Sequence, residues 1–346
     1  MADHTHIEWT DATWNPITGC SVVSAGCKHC YAMKLAGTRL QHHPSRAGLT
    51  VETKAGPVWN GQVRLNEEWL DQPLRWRRPR RIFVCAHGDL FHENVPDEWI
   101  DRVFMVMRYA PEHSFQVLSK RPARMLSYLQ RFKPSPAWDG YVTRDGVPSG
   151  ERPADAPLFF RDAWPLPNVW LGVSVEDQAA ADERIPLLLQ TPAAVRWISA
   201  EPLLGAVDLR DALDEEGHES GGPQGWVSTR AHGIDWVVAG GESGAGARPM
   251  HPDWARSLRD QCAAAGVPFL FKQWGEWQEG SAGSTTTAAV LDDGRVLHNW
   301  TLPAMAAADR QKRVPTCRPT VMARVGKKAA GRLLDGQLHD DYPVDA

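Results

Sequence analysis

The segment VWLGVSVEDQAAADERIPLLLQTPAAVRWISA (169–200) decides the fold class of this chain. Its two ends, VWLGVSV (169–175) and VRWISA (195–200), are short apolar runs that are typical of strands covered on both faces. The stretch between them, 177–190, has the apolar spacing of a helix. A strand, a helix and a second strand in this order predict a right-handed βαβ unit with parallel strands.

The same alternation extends from this unit in both directions. Four more apolar runs follow Gly or Pro residues: RIFVCA (81–86), SFQVLS (114–119), IDWVVAG (234–240) and PFLFK (268–272). TWNPITG (13–19) is a further strand candidate, although Pro16 weighs against it. Helical patterns cover residues 96–110, 121–131 and 252–265. We therefore predict an α/β fold, a partial or full (β/α) barrel of mostly parallel strands. The alternative is an open doubly wound sheet, although no GxGxxG follows the first strand.

Two stretches interrupt this rhythm and predict surface insertions in the barrel. Residues 133–166 are rich in Pro, Gly and charge, and residues 211–232 are acidic and then Gly-rich. We expect the barrel to span residues 1–276. The strand and helix pattern fades beyond that point, so we expect residues 277–346 to form a C-terminal extension packed on the barrel, with a last helix over 323–336.

Composition and charge exclude several classes of protein. The chain has 346 residues, of which 42% are hydrophobic and 23% charged, as in folded globular proteins. Its 38 basic and 42 acidic residues give a net charge of −4, which excludes a histone-like protein and a polybasic membrane binder. No signal-peptide pattern and no apolar run of ~18 residues is present, so we expect a cytoplasmic protein without a membrane association.

Three of the six cysteines crowd into one segment, GCSVVSAGCKHCYA (19–32). Clustered cysteines in a long chain that we expect in the cytoplasm favour metal binding or catalysis over a disulfide framework. The spacing C-x6-C-x2-C of Cys20, Cys27 and Cys30 could hold an iron–sulfur cluster with one iron left open to a small molecule. It could also hold zinc, with a fourth ligand from His29, His42, His43 or Cys85. The third possibility is that the three thiols are structural and bind no metal.

Cys20, Cys27 and Cys30, followed by Tyr31 and Ala32, resemble the cluster loop of radical S-adenosylmethionine (SAM) enzymes. Those enzymes carry the loop after the first strand of a partial (β/α) barrel, so the resemblance implies a barrel of the radical SAM type. It implies that the three cysteines bind a [4Fe–4S] cluster and that SAM ligates the fourth iron. Reductive cleavage of SAM then yields a 5′-deoxyadenosyl radical, with electrons from an external donor. The commonest superfamily spacing is C-x3-C-x2-C, so the first gap here is longer.

Four segments together resemble a family carried by phages and prophages, the phage gene-product thirty-seven/sixty-eight group. They are WTDATWNPITGCSVVSAGCKHCYA (9–32), GGESG (240–244), FKQWG (271–275) and VGKKAAGRLLDG (325–336). The family is described as radical-SAM-like three-Cys-motif proteins of unknown function. The resemblance implies a phage or prophage context, and it allows for a partner protein encoded by a neighbouring gene.

Polar residues follow the predicted strands, at the edge where (β/α) barrels carry their active sites. The cations and amide at these strand ends would attract an anionic substrate, and they are Lys120, Arg121, Lys272 and Gln273. Carboxylates and a Gly-rich turn that could hold SAM or substrate are Glu201, Gly241, Glu242 and Ser243. The superfamily resemblance implies SAM-amine contacts at Gly88 and Asp89, and ribose contacts at Ser174 and Glu176.

The run RWRRPRR (75–81) surrounds Trp76 with five arginines. It could contact nucleic acid through phosphates and stacking, and a solvated face is the alternative. Two functions therefore stand side by side. The first is a radical SAM enzyme acting on an unknown substrate, with nucleic acid as a candidate. The second is a non-enzymatic zinc-binding phage protein that binds nucleic acid through RWRRPRR.

Overall fold

Strands and helices alternate along most of the chain. The computed structural model describes residues 5–131, 165–213, 233–280, 286–291, 293–298 and 319–343. In chain order the strands are β1 (Ala12–Trp14), β2 (Ile17–Thr18), β3 (Thr50–Thr53), β4 (Gly56–Trp59), β5 (Arg64–Leu65), β6 (Arg81–Val84), β7 (Ser114–Ser119), β8 (Val169–Ser174), β9 (Val195–Ala200), β10 (Trp236–Gly240), β11 (Phe269–Gln273), β12 (Trp277–Glu279), β13 (Thr287–Val290), β14 (Val296–His298) and β15 (Thr320–Arg324). The α-helices are α1 (Tyr31–Gly37), α2 (Glu67–Leu70), α3 (Asp97–Tyr109), α4 (Pro122–Arg131), α5 (Gln178–Leu189), α6 (Arg210–Leu213), α7 (Pro252–Ala264) and α8 (Lys327–Ala330).

Seven strands form one parallel sheet, in the order β1-β6-β7-β8-β9-β10-β11. All neighbouring pairs in this sheet are parallel. The sheet curls into a half-barrel, so the predicted mixed α/β fold with a partial barrel is confirmed. The six apolar runs supply β6 to β11, and the candidate at 13–19 contributes to β1.

The pleat of the strands sends alternate side chains to the two faces of the sheet. One set packs with the helices in a large core that includes Val117, Val173 and Val237. The other set faces the concave interior, where Trp170, Trp197 and Trp236 pack with Trp9. Trp9 and Trp197 meet edge to face with ring centroids 5.1 Å apart. These indoles fill the amino-terminal half of the interior and leave the carboxyl edge for polar groups.

The long helices lie where their apolar spacing predicts them. The segments predicted at 96–110, 121–131, 177–190 and 252–265 are the helices α3, α4, α5 and α7 within one residue at each end. The Asp177 side chain caps α5 by accepting a hydrogen bond from the Ala180 N–H at 2.9 Å. None of the helices in the described ranges is long and apolar enough to cross a membrane.

The chain after β11 forms a second, antiparallel sheet in the order β12-β15-β13-β14. The prediction of one helix over 323–336 is wrong. Ala323 pairs with Gln278 inside β15, and only α8 is helical. Gly326 and Gly331 flank α8 with φ angles of +87° and +72°, a left-handed backbone that ends a helix on both sides.

The last described segment contacts the barrel strands. The Phe271 N–H donates to the His339 carbonyl at 2.9 Å, and the Trp236 indole N–H donates to the Asp341 carbonyl at 2.9 Å. The domain boundary at residue 276 stays a prediction. Of the two predicted insertions, residues 133–164 and 214–232 lie outside the described residues.

Candidate active site

The cysteine loop (residues 19–30) lies at the carboxyl edge of the half-barrel, because it follows β1 and β2. Its first residue, Gly19, forms a parallel bridge with Gly88, which follows β6. The Gly19 N–H donates to the His87 carbonyl at 3.1 Å. Gly19 has φ +98°, and a Cβ there would lie 2.1 Å from the Gln62 carbonyl oxygen, so only glycine fits. The loop is therefore anchored beside the first two strands of the sheet.

The three thiols of this loop are free, with Cys27 buried and Cys20 and Cys30 partly exposed. Desolvation raises the pKa of the Cys20 thiol to about 12, and burial also raises the pKa of the Cys30 thiol. The thiols of Cys20 and Cys30 are therefore protonated at neutral pH, and a soft metal centre would displace these protons on binding.

The chemistry of the three loop thiols suits a soft metal centre. Cysteine thiolates bind both iron–sulfur clusters and zinc. Among the residues that the structure describes, no three His, Cys, Asp or Glu side chains are grouped so that they could hold one metal ion. The fit to a cluster therefore rests on the donor type and on their place in one anchored loop.

Glu176, at the end of β8, holds the middle of the cysteine loop. Its side chain is 1% exposed and accepts hydrogen bonds from Ser24 Oγ at 2.5 Å, Lys120 Nζ at 2.6 Å and Arg184 Nη1 at 2.8 Å. Burial alone would raise the pKa of this carboxyl, but Lys120, Ser24 and Arg184 outweigh it and the pKa is lowered. A Cβ on Gly26 would lie 2.3 Å from Glu176 Oε1, so loop and carboxylate are in direct contact.

Arg121, predicted from the sequence to attract an anionic substrate, contacts the start of the cysteine loop. Its side chain is 8% exposed and pairs with Asp89 at 3.0 Å and Glu93 at 2.6 Å. The same guanidinium donates to Ser21 Oγ at 2.6 Å and to Cys20 Sγ at 3.5 Å. A buried cation therefore lies against the first thiol of the loop, where it would stabilise a thiolate.

The predicted SAM-amine residues Gly88 and Asp89 are packed into the same edge. Asp89 is buried, and its carboxylate accepts hydrogen bonds from Ser119 Oγ at 2.8 Å and the Lys120 N–H at 3.2 Å. A Cβ on Gly88 would lie 2.9 Å from the Ile17 carbonyl oxygen. Asp89 thus joins the loop after β6 to the end of β7.

The turn after β10 closes on the loop from the other side. Glu242 is buried and pairs with Arg248 at 2.6 Å, and Arg248 Nη2 donates to the Ala25 carbonyl at 3.0 Å. A Cβ on Gly246 would lie 2.6 Å from the ring of His29. The residues that follow GGESG therefore contact the cysteine loop, and Glu242 binds the arginine that makes this contact. The sequence did not indicate the contact.

The two other residues of that turn differ in their surroundings. Gly241 is buried, and a Cβ there would lie 2.1 Å from the Trp274 carbonyl oxygen. Ser243 is exposed, next to Gly244, which has φ +102°. Gly241 therefore allows a close backbone approach between β10 and the segment after β11, and Ser243 faces solvent.

A second lysine–glutamate pair joins the last strands. Lys272 Nζ lies 2.7 and 2.8 Å from the two carboxylate oxygens of Glu201, and Gln273 Nε2 donates to Glu201 Oε1 at 3.3 Å. The side chains of Lys272 and Glu201 are 14% and 17% exposed. Within the described residues, the buried Gln273 Oε1 accepts no hydrogen bond. The pair offers both signs of charge and one unused acceptor at the carboxyl edge.

Small residues line the interior between this edge and the tryptophans. Ser174 and Ser199 are neighbours in register on β8 and β9, and Gly172 lies beside Trp197. A Cβ on Gly172 would lie 2.5 Å from the Trp197 ring. Because side chains two apart share a face, Gly172 and Ser174 point to the same interior. Ser174 and Ser199 are themselves buried, so small residues occupy this part of the interior.

The RWRRPRR run lies at the opposite, amino edge, because it precedes β6. Three of its five arginines make contacts within the protein: Arg75 with Asp71 at 3.0 Å, Arg81 with Asp11 at 3.1 Å, and Arg80 over the Trp76 ring at 4.8 Å. Arg77 and Arg78 are exposed. A nucleic acid bound there would lie at the other end of the sheet from the cysteine loop.

Several residues of the site were missed in the sequence, and they are Ser24, Arg184, Arg248 and Arg46. The first three are partners of residues that strand ends did indicate. Arg184 lies on α5, about two helical turns beyond Glu176, and pairs with it. This spacing between Glu176 and Arg184 is a signal from which the pair could have been predicted. Arg46 lies in the loop between α1 and β3, where the sequence pattern offers no signal.

Fold and site together define an α/β half-barrel protein with a three-cysteine loop at the carboxyl edge of its sheet. The chain belongs to a family described as "Protein of unknown function (DUF5131)", whose model matches residues 4–343. No curated protein matches the chain. No solved structure matches it.

The contact between Gly26 and Glu176 makes one substitution informative. We expect Gly26→Ala to destabilise the protein by about 1–3 kcal/mol, because the new methyl group must displace a buried, hydrogen-bonded carboxylate. Gly240→Ala is the matched control, since a Cβ there lies no closer than 3.4 Å to its neighbours. Urea denaturation measures both, and equal stabilities of the two variants would contradict the contact.

Proposed function

We propose that this protein is a radical SAM enzyme whose Cys20, Cys27 and Cys30 bind a [4Fe–4S] cluster, with SAM on the open iron. One observation carries the proposal: three free thiols lie on one anchored loop that follows the first strand of a parallel half-barrel. The reaction acts on an unidentified substrate, with nucleic acid as a candidate. We place the protein in the cytoplasm, and a partner protein from a neighbouring gene is compatible with this function.

When bound, the cluster would pass an electron from an external donor to SAM and so yield a 5′-deoxyadenosyl radical. The chain's own residues have two tasks in this proposal. The first is to hold the loop in place. Three ion pairs with buried carboxylates do so at successive points: Arg121–Asp89 near Ser21, Lys120–Glu176 at Ser24, and Arg248–Glu242 at Ala25. Ligands fixed in this way bind a metal centre with little loss of entropy.

The second task is to bind SAM, which carries both an amine and a carboxylate. The Glu201–Lys272 pair offers a group of each sign at the carboxyl edge. Gly172, Ser174 and Ser199 are the small residues that β8 and β9 place in the adjoining interior. We assign the SAM contacts to this part of the edge rather than to Asp89, because the Glu201 side chain is 17% exposed whereas that of Asp89 is 7% exposed.

The charges at the strand ends also bear on the substrate. Lys120, Arg121 and Lys272 were predicted to attract an anion, and each is paired with a carboxylate at 3.0 Å or less. The pairs neutralise these cations, which weakens their assignment as an anion subsite.

Metal content and electron paramagnetic resonance (EPR) test the proposal directly. The protein is purified anaerobically and reconstituted with iron and sulfide, and the reduced sample is measured with and without SAM. We expect a [4Fe–4S]⁺ signal that changes when SAM is added. A cluster signal that ignores SAM would contradict the proposed reaction. Bound zinc without an iron signal would favour a zinc-binding protein instead, and salt-sensitive nucleic-acid binding through Arg77 and Arg78 would then be the property to measure.

A further inference from the structure

Arg46 is a buried cation without a carboxylate partner among the described residues. The residue is 5% exposed. Its contacts are with neutral groups: Nη1 donates to Ser45 Oγ at 2.6 Å, Nε donates to His87 Nδ1 at 3.4 Å, and the guanidinium lies 5.7 Å above the Trp69 ring. No carboxylate of the described chain lies within ion-pair distance of it. Buried arginines are nearly always paired with an anion, because an unpaired buried charge is costly.

The other cations of this edge follow the usual rule. Arg184 is equally buried and pairs with Glu176 at 2.8 Å, and Arg121 pairs with Asp89 and Glu93. A second guanidinium, that of Arg64, acts electrostatically on Arg46. Arg64 donates to the carbonyls of Pro44 and Ala47. Two guanidiniums held by neutral oxygens create a positive potential, and burial lowers the pKa of Arg46 to about 10.

Unused donors remain on Arg46 and on the histidine beside it. Nη2 of Arg46 donates to no residue in the described ranges. His87 accepts at Nδ1, so its neutral ring carries the proton on Nε2, which also has no partner among the described residues. Burial, with Arg46 as the next cause, lowers the pKa of His87 to about 3, so the ring is neutral at pH 7.

This pair of side chains lies at the open, carboxyl edge of the barrel. His87 follows β6 and is partly exposed, and its ring meets that of Tyr31 with centroids 5.7 Å apart. Tyr31 directly follows the last cysteine of the loop and is 50% exposed. A ligand at the cysteine loop can therefore reach Tyr31 and His87 from solvent.

We propose that Arg46 and His87 form an oxyanion site, which takes a phosphate or carboxylate group of a ligand bound beside the cysteine loop. A guanidinium is suited to both groups because its N–H donors match their oxygens. The oxyanion supplies the negative charge that no described residue gives to Arg46. This site rests on Arg46 and its neighbours, and it holds whether or not the loop carries a cluster. The group comes either from SAM, through its carboxylate, or from a separate phosphate-bearing substrate.

The test measures binding of inorganic phosphate and acetate to the full chain by calorimetry and by thermal shift at constant ionic strength. We expect phosphate to raise the melting temperature of the wild type. In Arg46→Met we expect its affinity to fall at least about tenfold, as expected for the loss of a charged hydrogen bond. Arg77→Gln is the control, since it removes an exposed arginine at the other edge. Arg46→Lys keeps the charge but loses the paired N–H donors of the guanidinium, so we expect phosphate affinity between those of the wild type and Arg46→Met. This variant replaces Arg46→Met in the test if Arg46→Met fails to fold.

The source of the oxyanion follows from a second titration, with SAM, on the reconstituted protein. Unchanged SAM affinity in Arg46→Met, with lost phosphate binding, assigns the site to a separate phosphate-bearing ligand. A parallel loss of SAM and phosphate affinity assigns it to the SAM carboxylate. The proposal is overturned if neither anion binds the wild type, or if Arg46→Met binds them as the wild type does. If the cluster does not assemble, the phosphate titration still tests the oxyanion site, because it does not require the cluster.

Discussion

Cys20→Ala, Cys27→Ala and Cys30→Ala are each expected to abolish cluster binding and SAM cleavage while the half-barrel stays folded. Each variant removes one of three thiolates, and a cluster with two protein ligands is not held. The fold does not depend on these thiols, because the loop is held by Arg121, Glu176 and Arg248. We expect the free energy of unfolding of the apoprotein to change by only about 1 kcal/mol.

Cys262→Ala is the matched control for these variants. Cys262 is a free, buried cysteine on α7, away from the loop. Its replacement removes a thiol from the core and should leave iron content, the EPR signal and SAM cleavage as in the wild type. Iron and sulfide are quantified after anaerobic reconstitution, and unfolding is followed by circular dichroism. Full iron content or SAM cleavage in any of the three loop variants would contradict the assignment of that cysteine.

The architecture of the sheet could be predicted because its signals are local. Strands covered on both faces are apolar throughout, and helices that cover them repeat with a period near 3.6 residues. Both patterns are visible in segments such as 169–200 without knowledge of the contacts. These local patterns do not predict that the half-barrel has seven strands, because the number of paired strands depends on contacts across the whole sheet.

The wrong helix at 323–336 shows where local reasoning fails. Ala, Lys and Leu in this stretch favour a helix, but Ala323 and Arg324 pair with β12, a tertiary contact that overrides local preference. Gly326 and Gly331 were visible in the sequence as helix-breaking residues, and they bound the short α8.

The site could be predicted by position but not by pairing. Strand ends indicated Lys120, Glu176, Glu201 and Lys272, and the structure brings these together in two ion pairs. The partners are 56 and 71 residues apart along the chain, so no spacing rule links them. Arg46 was missed for another reason: its loop carries no periodic signal. That no carboxylate in the described part of the chain pairs with it is visible only in three dimensions.

Glu176→Gln is expected to destabilise the protein by about 3–5 kcal/mol at pH 7, because it leaves the buried Arg184 and the partly buried Lys120 without their counter-charge. Glu67→Gln is the matched control. Glu67 also pairs with an arginine, Arg102, but its side chain is 62% exposed, so we expect a loss below about 1 kcal/mol. Urea denaturation measures the free energy of unfolding of both variants. Equal losses of stability would contradict the stabilising role of the buried Glu176 carboxylate.

The same variant predicts a pH dependence. The pKa of Glu176 in the folded protein is lowered from its usual 4.5, so its ionised form stabilises the fold above that pH. This contribution disappears as the pH falls through the folded-state pKa, where the protonated carboxyl becomes as neutral as the amide of glutamine. The gap in unfolding free energy between the wild type and Glu176→Gln should therefore be full at pH 7 and shrink below pH 4.5. Other acids titrate equally in both proteins and cancel in the difference. A gap that stays constant down to the acid unfolding transition would show that the charge of Glu176 does not stabilise the folded protein.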